Sequence, residues 1–216
     1  MSGPTVSVAV PSIPPRAKLL KRALASVWGQ TRDPDAVIVA VDRDAEGAGP
    51  TRTRAALMAD TDYVATLDDD DEFLPHHLES LLRTAQETGA DAVYSWFHLD
   101  GWPEATPWRP DPLAVPVNGQ LVHPLGVPFG PEQATHMREH AFIPVTGLYR
   151  TELLRAVGGW PTPGSAEWPR PDCEDHGLWL KLLDVGAKIV HAPLRTWRCS
   201  YHAGSTAGRP WRSSSR

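Results

Sequence analysis

Several familiar signatures are missing from this chain. No Gly-x-Gly-x-x-Gly follows its first strand-like run, which argues against a Rossmann dinucleotide site, and no Gly-x4-Gly-Lys-Ser/Thr occurs, which excludes a P-loop. There is no Gly-x-Ser-x-Gly nucleophile elbow and no His-Glu-x-x-His helix. The two cysteines, Cys173 and Cys199, lack metal-finger spacing. No apolar run approaches the ~20 residues of a membrane span. Met1-Ser2-Gly3-Pro4 lacks the basic and then apolar pattern of a signal peptide. The chain is therefore expected to be cytoplasmic, with no membrane span and with reduced thiols. With 21 basic against 26 acidic residues the net charge is −5, and no long basic stretch appears. That balance speaks against a nucleic-acid partner.

What is present is more specific. Four consecutive aspartates, Asp68-Asp69-Asp70-Asp71, follow directly on the apolar run Tyr63-Val64-Ala65-Thr66-Leu67. Such a run reads as a buried strand. Open α/β sheets bind ligands outside the carboxyl ends of their strands, where these carboxylates would stand. Four like charges repel, and a hard dication such as Mg²⁺ or Mn²⁺ would relieve the repulsion. The alternative is an acidic cap for the helix after Pro75.

The 216 residues suffice for one domain with a sizeable core. Residues 6–10, 36–41, 63–67 and 91–96 read as strands. They alternate with helical patterns over 16–29, 51–59 and 75–88, with Leu20, Leu24, Val27 and Trp28 on one face of the first helix and Leu78, Leu81, Leu82 and Ala85 inward on the third. This alternation predicts an α/β fold with a mostly parallel sheet flanked by helices. Residues 101–130 carry seven prolines with Trp102 and Trp108, and read as a long irregular segment. Order resumes with an extended stretch over 141–149 and a helix over 151–157. A helix over 174–185 follows, with Leu178, Leu182 and Val185 inward, and then a last strand over 188–192. The tail from Gly204 is polar.

Several segments together resemble the family 2 glycosyltransferases. They are Val8-Ala9-Val10-Pro11-Ser12, Ala23-Leu24-Ala25-Ser26-Val27-Trp28-Gly29-Gln30-Thr31, Val39-Ala40-Val41-Asp42, and Leu67-Asp68-Asp69-Asp70-Asp71-Glu72-Phe73-Leu74-Pro75. Gly158-Gly159-Trp160 and Glu174-Asp175-His176-Gly177-Leu178-Trp179-Leu180-Lys181-Leu182 resemble the same family's C-terminal half. The resemblance implies a GT-A fold over residues 1–203, with a nucleotide-sugar half to about residue 100, an acceptor and catalytic half after it, and a flexible tail over 204–216. It also implies inverting transfer of a sugar from UDP or another nucleotide diphosphate to a hydroxyl of a glycan, protein or small molecule.

The resemblance assigns roles residue by residue. Pro11 and Ser12 would lie against the nucleobase. Asp42 resembles the base-contacting aspartate, with Asp44 a second candidate, although Asp42-Arg43-Asp44-Ala45 departs from the family's Asp-Asp-Gly-Ser. Arg54 is preferred to Arg52 as the family's helix arginine, a residue suited to bidentate binding of diphosphate or carboxylate; an exposed surface arginine is the alternative. In the Asp-x-Asp pattern Asp70 matches the metal ligand, Asp68 and Asp69 would hold the metal's water or the ribose, and Asp71 would serve the following helix. Asp175 matches the catalytic base, with Glu174 orienting it; an N-cap pair is the alternative. His202 corresponds to a region where some relatives carry a further metal ligand. His191 is expected to pack in a strand, His76 and His77 to face solvent, and Cys173 to be a packing residue. Two other classes compete: a sugar-nucleotide or glycan-binding module without turnover, and a nucleotidyltransferase. The second would carry a Gly-rich loop where this chain has Pro11-Ser12-Ile13-Pro14-Pro15-Arg16.

Overall fold

The computed structural model describes residues 3–100, 114–168 and 173–200. Their elements in chain order are β1 (Val6–Ser12), α1 (Ala17–Trp28), β2 (Ala36–Val41), α2 (Ala48–Leu57), β3 (Tyr63–Thr66), β4 (Glu72–Phe73) and α3 (His77–Thr88). Then come β5 (Ala92–Asp100), β6 (Val115–Val117), β7 (Gln120–Val122), α4 (Pro131–Met137), β8 (Gly147–Arg150), α5 (Thr151–Val157), α6 (Glu174–Asp184) and β9 (Ile189–Ser200). A 3-10 turn, Pro14–Arg16, links β1 to α1.

The main sheet has the order β2-β1-β3-β8-β5-β9-β4. The β1–β2, β1–β3 and β5–β9 pairs are parallel, whereas β8 runs against β3 and β5, and β4 against β9. The sheet is thus mixed, with the expected parallel strands as its frame. Alternation along each strand divides the apolar residues between two cores. Val6, Val8 and Val10 join Val27, Leu78, Leu81 and Trp197 under α1 and α3. Ala9, Val64 and Tyr149 join Ala55, Leu154, Leu178 and Trp179 under α2, α5 and α6. Helix α3 buries Leu78, Leu81, Leu82 and Ala85 as its periodicity predicts, and stops at Gly89 (φ 67°), which caps Ala85.

Several expectations need correction. Trp28 and Val185 are 61% and 59% exposed: Trp28 is the last residue of α1 and Val185 the C-cap of α6, where the helix no longer presents a covered face. His77 is buried, stacked on Phe73 at 3.8 Å with its Nδ1 2.6 Å from Thr196 Oγ1. Cys173 is exposed, at φ 63° ahead of α6, rather than packed. The described part of the proline-rich segment holds a hairpin, β6–β7, turning at Asn118 and Gly119 (φ 52° and 77°). That pair of positive φ values is the two-residue turn Asn-Gly favours. Glu132 of α4 accepts both of its backbone N–H groups at 3.1 Å. Strand β9 continues eight residues past the expected stop at Ala192, because Pro193 and Leu194 bulge out between the pairs Ser95–Ala192 and Trp96–Arg195. No helix among the described residues is long and apolar enough to cross a membrane.

Candidate active site

Strands β1, β2 and β3 end side by side, so Ser12, Asp42 and Asp68 leave the sheet at one rim. Beyond Leu67 the chain turns tightly, with Asp71 N–H donating to the Asp68 carbonyl at 3.1 Å. The four carboxylates then part. Asp68 accepts from Arg52 at 2.8 Å. Asp69, 3% exposed, accepts from Ser12 Oγ at 2.7 Å and Arg16 Nη1 at 2.9 Å. Asp70 lies 3.1 Å from the same Arg16 nitrogen. Asp71 reaches across to the backbone N–H of Ser200 at 2.8 Å, at the end of β9. No side chain caps α3, whose N-cap is His76. Asp71 therefore does not serve that helix, and the run is not its cap.

Asp68, Asp70 and Asp71 can bring one carboxylate oxygen each within 4.8 Å of one another. This all-oxygen set suits a hard cation. Burial first, and then the charges of Asp68 and Asp70, push the Asp71 carboxyl well above the ordinary carboxylate range, against the Ser200 hydrogen bond and the Arg22 charge. A cation shared by the three would offset that cost, so the residues present fit Mg²⁺ or Mn²⁺. Arg22 closes the outer side: it donates to the Asp70 carbonyl at 2.9 Å and pairs with Glu72 at 2.7 Å. His202 lies outside the described residues.

Opposite this cluster stands the start of α6. Arg52, 2% exposed, joins the two: Nη2 donates to Asp68, while Nη1 donates to Glu174 Oε1 at 3.0 Å and Asp175 Oδ1 at 3.1 Å. Its guanidinium lies 5.5 Å from the Trp160 ring centroid, a cation–π distance. Burial acts most strongly on Arg52 and disfavours its charge, but Asp68, Asp175 and Glu174 together overcome it and raise the pKa. Asp175 is raised too. Burial pushes it up, Arg52 pulls it down, and Glu174 and Asp68 push it up again. About a quarter of its side chain (26%) still meets solvent, so a reactant can approach it.

Two glycines set the spacing of this arrangement. A Cβ on Gly49, in the first turn of α2, would come within 2.8 Å of the Pro161 carbonyl oxygen. One on Gly177, in α6, would come within 2.3 Å of Pro161 Cγ. Pro161 is thus wedged between the two helix starts, and only glycine allows the approach.

The other predicted residues lie elsewhere along the rim. Asp42 accepts backbone N–H groups from Gly47 at 2.8 Å, Glu46 at 3.0 Å and Asp44 at 3.1 Å, with Gly47 doing most to hold its carboxyl below the usual range. Its charge folds the loop leading into α2. Asp44 is exposed on that loop. Arg54 points back to the same loop, pairing with Glu46 at 2.7 Å and donating to the Val41 carbonyl at 3.2 Å. Of the two arginines on α2, the one at the acidic cluster is Arg52. Pro11 and Ser12 are buried at the end of β1. The structure thus gathers Ser12, Asp68, Asp69, Asp70, Glu174 and Asp175, and adds Asp71, Arg16 and Arg52. Two residues on a helix separated by two positions face apart, so Arg52 and Arg54 cannot both reach the cluster, and no local signal tells which one does.

Comparison with known proteins agrees with this geometry. Residues 43–158, just over half of the chain, match the model of the family described as glycosyl transferase family 2. No curated protein gives a significant match in sequence. Among solved structures, Staphylococcus aureus TarS 1–349 in complex with UDP-GlcNAc superposes with a TM-score of 0.62 at 18% identity, covering 96% of this chain and 62% of that one. Its complex with UDP gives 0.58 at 16% identity, covering 91% and 60%. A longer TarS structure gives 0.60 at 17% identity, covering 91% and 37%. This chain therefore spans less than two thirds of the TarS chains it resembles, and at these identities the likeness is one of fold, the GT-A fold. The sequence match runs from the loop after β2, through Arg52 and the aspartates, to the end of α5, and by that match the chain belongs to glycosyl transferase family 2.

Proposed function

We propose that this chain transfers a sugar from a nucleoside-diphosphate donor to an acceptor hydroxyl, with inversion at the anomeric carbon. The observation that carries the reading is the pairing, through one buried arginine, of the Asp68–Asp70–Asp71 cluster with Asp175. These three aspartates would hold Mn²⁺ or Mg²⁺. Such an ion, held by these residues, would supply positive charge that offsets the negative charge of the departing diphosphate.

The chain's own groups do the rest. Asp175 takes the acceptor hydroxyl's proton as that oxygen attacks the anomeric carbon from the side opposite the diphosphate. The new glycosidic bond forms, the bond from anomeric carbon to phosphate oxygen breaks, and the proton stays on Asp175. A carboxyl raised above its ordinary range by burial suits this task, because it holds the proton better than an exposed one. Arg52 favours the ionised form of Asp175 against the burial that raises its pKa to about 8, and fixes its position relative to Asp68. Glu174 shares the Arg52 Nη1 and orients it. Pro11, Ser12 and Asp69 form the β1 end of the donor cleft, and the loop folded by Asp42, with Asp44 and Arg54, forms its outer rim. The described residues up to 100 make the donor half and those after it the acceptor half; the expected tail, 204–216, lies outside the described residues. The TarS complexes with UDP-GlcNAc and UDP support a uridine donor as the first to try. The acceptor is a glycan, a protein or a small molecule.

One experiment tests the reading. Nucleoside-diphosphate sugars are screened with Mn²⁺ for a rise in melting temperature and for release of nucleoside diphosphate. One donor should give both. Asp175→Asn should keep the shift and slow release by about 10²-fold or more. Unchanged turnover in that variant refutes the base assignment, and stabilisation without release in the wild type, whatever the acceptor, points to a binding module.

A further inference from the structure

We infer that Arg16 is a built-in counter-cation that a divalent ion must displace from Asp70, a positioning residue that sets how readily the aspartate cluster loads. The inference rests on the metal-assisted reading above.

Arg16 ends the 3-10 turn that follows β1, and Pro14 and Pro15 fix the backbone of that turn. Its Nη1 lies 2.9 Å from Asp69 Oδ1 and 3.1 Å from Asp70 Oδ2. The two carboxylates differ in what else holds them. Asp69 is 3% exposed, and its other oxygen accepts from Ser12 at 2.7 Å. It is an anchor for the β1 end. Asp70 belongs to the trio whose oxygens converge within 4.8 Å. One nitrogen of Arg16 thus neutralises both an anchor and a metal ligand.

The two arginines paired with the aspartate side chains, Arg16 and Arg52, are unequal in exposure. Arg52 has a side chain only 3% exposed, held by three carboxylates and lying against Trp160. Arg16 is 26% exposed, on a surface turn. When a dication enters the trio, its charge repels both guanidiniums, and Arg16 is the one with room to yield. It can release Asp70 and keep Asp69, so the clamp between β1 and the aspartate turn survives loading.

The test is Mn²⁺ binding by calorimetry, without nucleotide and at fixed ionic strength. Arg16→Gln removes the competing charge and should tighten Mn²⁺ binding roughly tenfold, the scale of one nearby unit charge after solvent screening. Arg16→Lys keeps the charge and should stay within about threefold of wild type. Asp70→Asn should abolish the gain when combined with Arg16→Gln. Circular dichroism confirms that each variant is folded. Wild-type binding that depends on Asp70 but is unchanged or weakened in Arg16→Gln overturns this inference and leaves the transferase reading standing. Absence of Mn²⁺ binding in the folded wild type also overturns this inference, and the donor screen with Mn²⁺ then decides the transferase reading by itself.

Discussion

At the scale of single residues, the site is organised by Arg52, which joins the ends of β3 and α6 with one guanidinium. Removing it leaves three carboxylates facing one another. Arg52→Met should therefore cost about 3–5 kcal/mol of stability, the usual penalty for breaking a buried ion pair from one side. Urea denaturation measures it. Arg52→Lys keeps a charge but has no planar fork to reach both sides; it should fold while transferring sugar at least about tenfold more slowly than wild type. The sequence made an arginine here legible but selected Arg54. The two residues lie on nearly opposite sides of α2, and the choice depends on the helix phase, which Gly47 and Gly49 blur. Asp71 escaped for a different reason. Its partner is the backbone of Ser200, 129 positions away, and no local pattern records so distant a contact.

At the scale of elements, Gly177→Ala sets two effects against each other. Alanine should strengthen α6 by about 1 kcal/mol through helix propensity. Its Cβ would come within 2.3 Å of a proline ring that cannot rotate away, and overpacking costs about 1–3 kcal/mol. The clash should win, giving a lower melting temperature and a displaced Asp175, with transfer impaired more than nucleotide binding. Elements with clean periodicity were legible to the residue: β2 and α5 have their expected bounds, and α3 buries the expected face. The hairpin at Asn118-Gly119 was visible in principle, but the surrounding prolines outweighed its turn signal. Strand β9 was cut short because Pro193 reads as a stop, and only pairing with β5 carries the strand past it. The four-aspartate turn was legible because it combines two local signals, an apolar strand and its charged exit.

At the scale of the whole molecule, acid stability should carry a signature of His77. Burial, and to a lesser degree the neighbouring His76, push its pKa down to about 3. A histidine depressed in the folded state stabilises fully above its unfolded value near 6.5 and loses that contribution as pH falls toward 3. Asp71 and Asp175, raised in the folded state, change in the opposite sense, so the effect is best read as a difference between two proteins. Wild type should exceed His77→Asn in stability at pH 7, and the gap should shrink by about 2–3 kcal/mol by pH 4.5. Urea titrations at the two pH values check it. The wedge of Pro161 between Gly49 and Gly177 bears on the architecture as a whole. Main chain and a rigid ring, with no rotatable side chain intervening, act as the gauge block between the two halves of the cleft. Loops around the mouth can therefore be exchanged while the span from the aspartate turn to the start of α6 keeps its length.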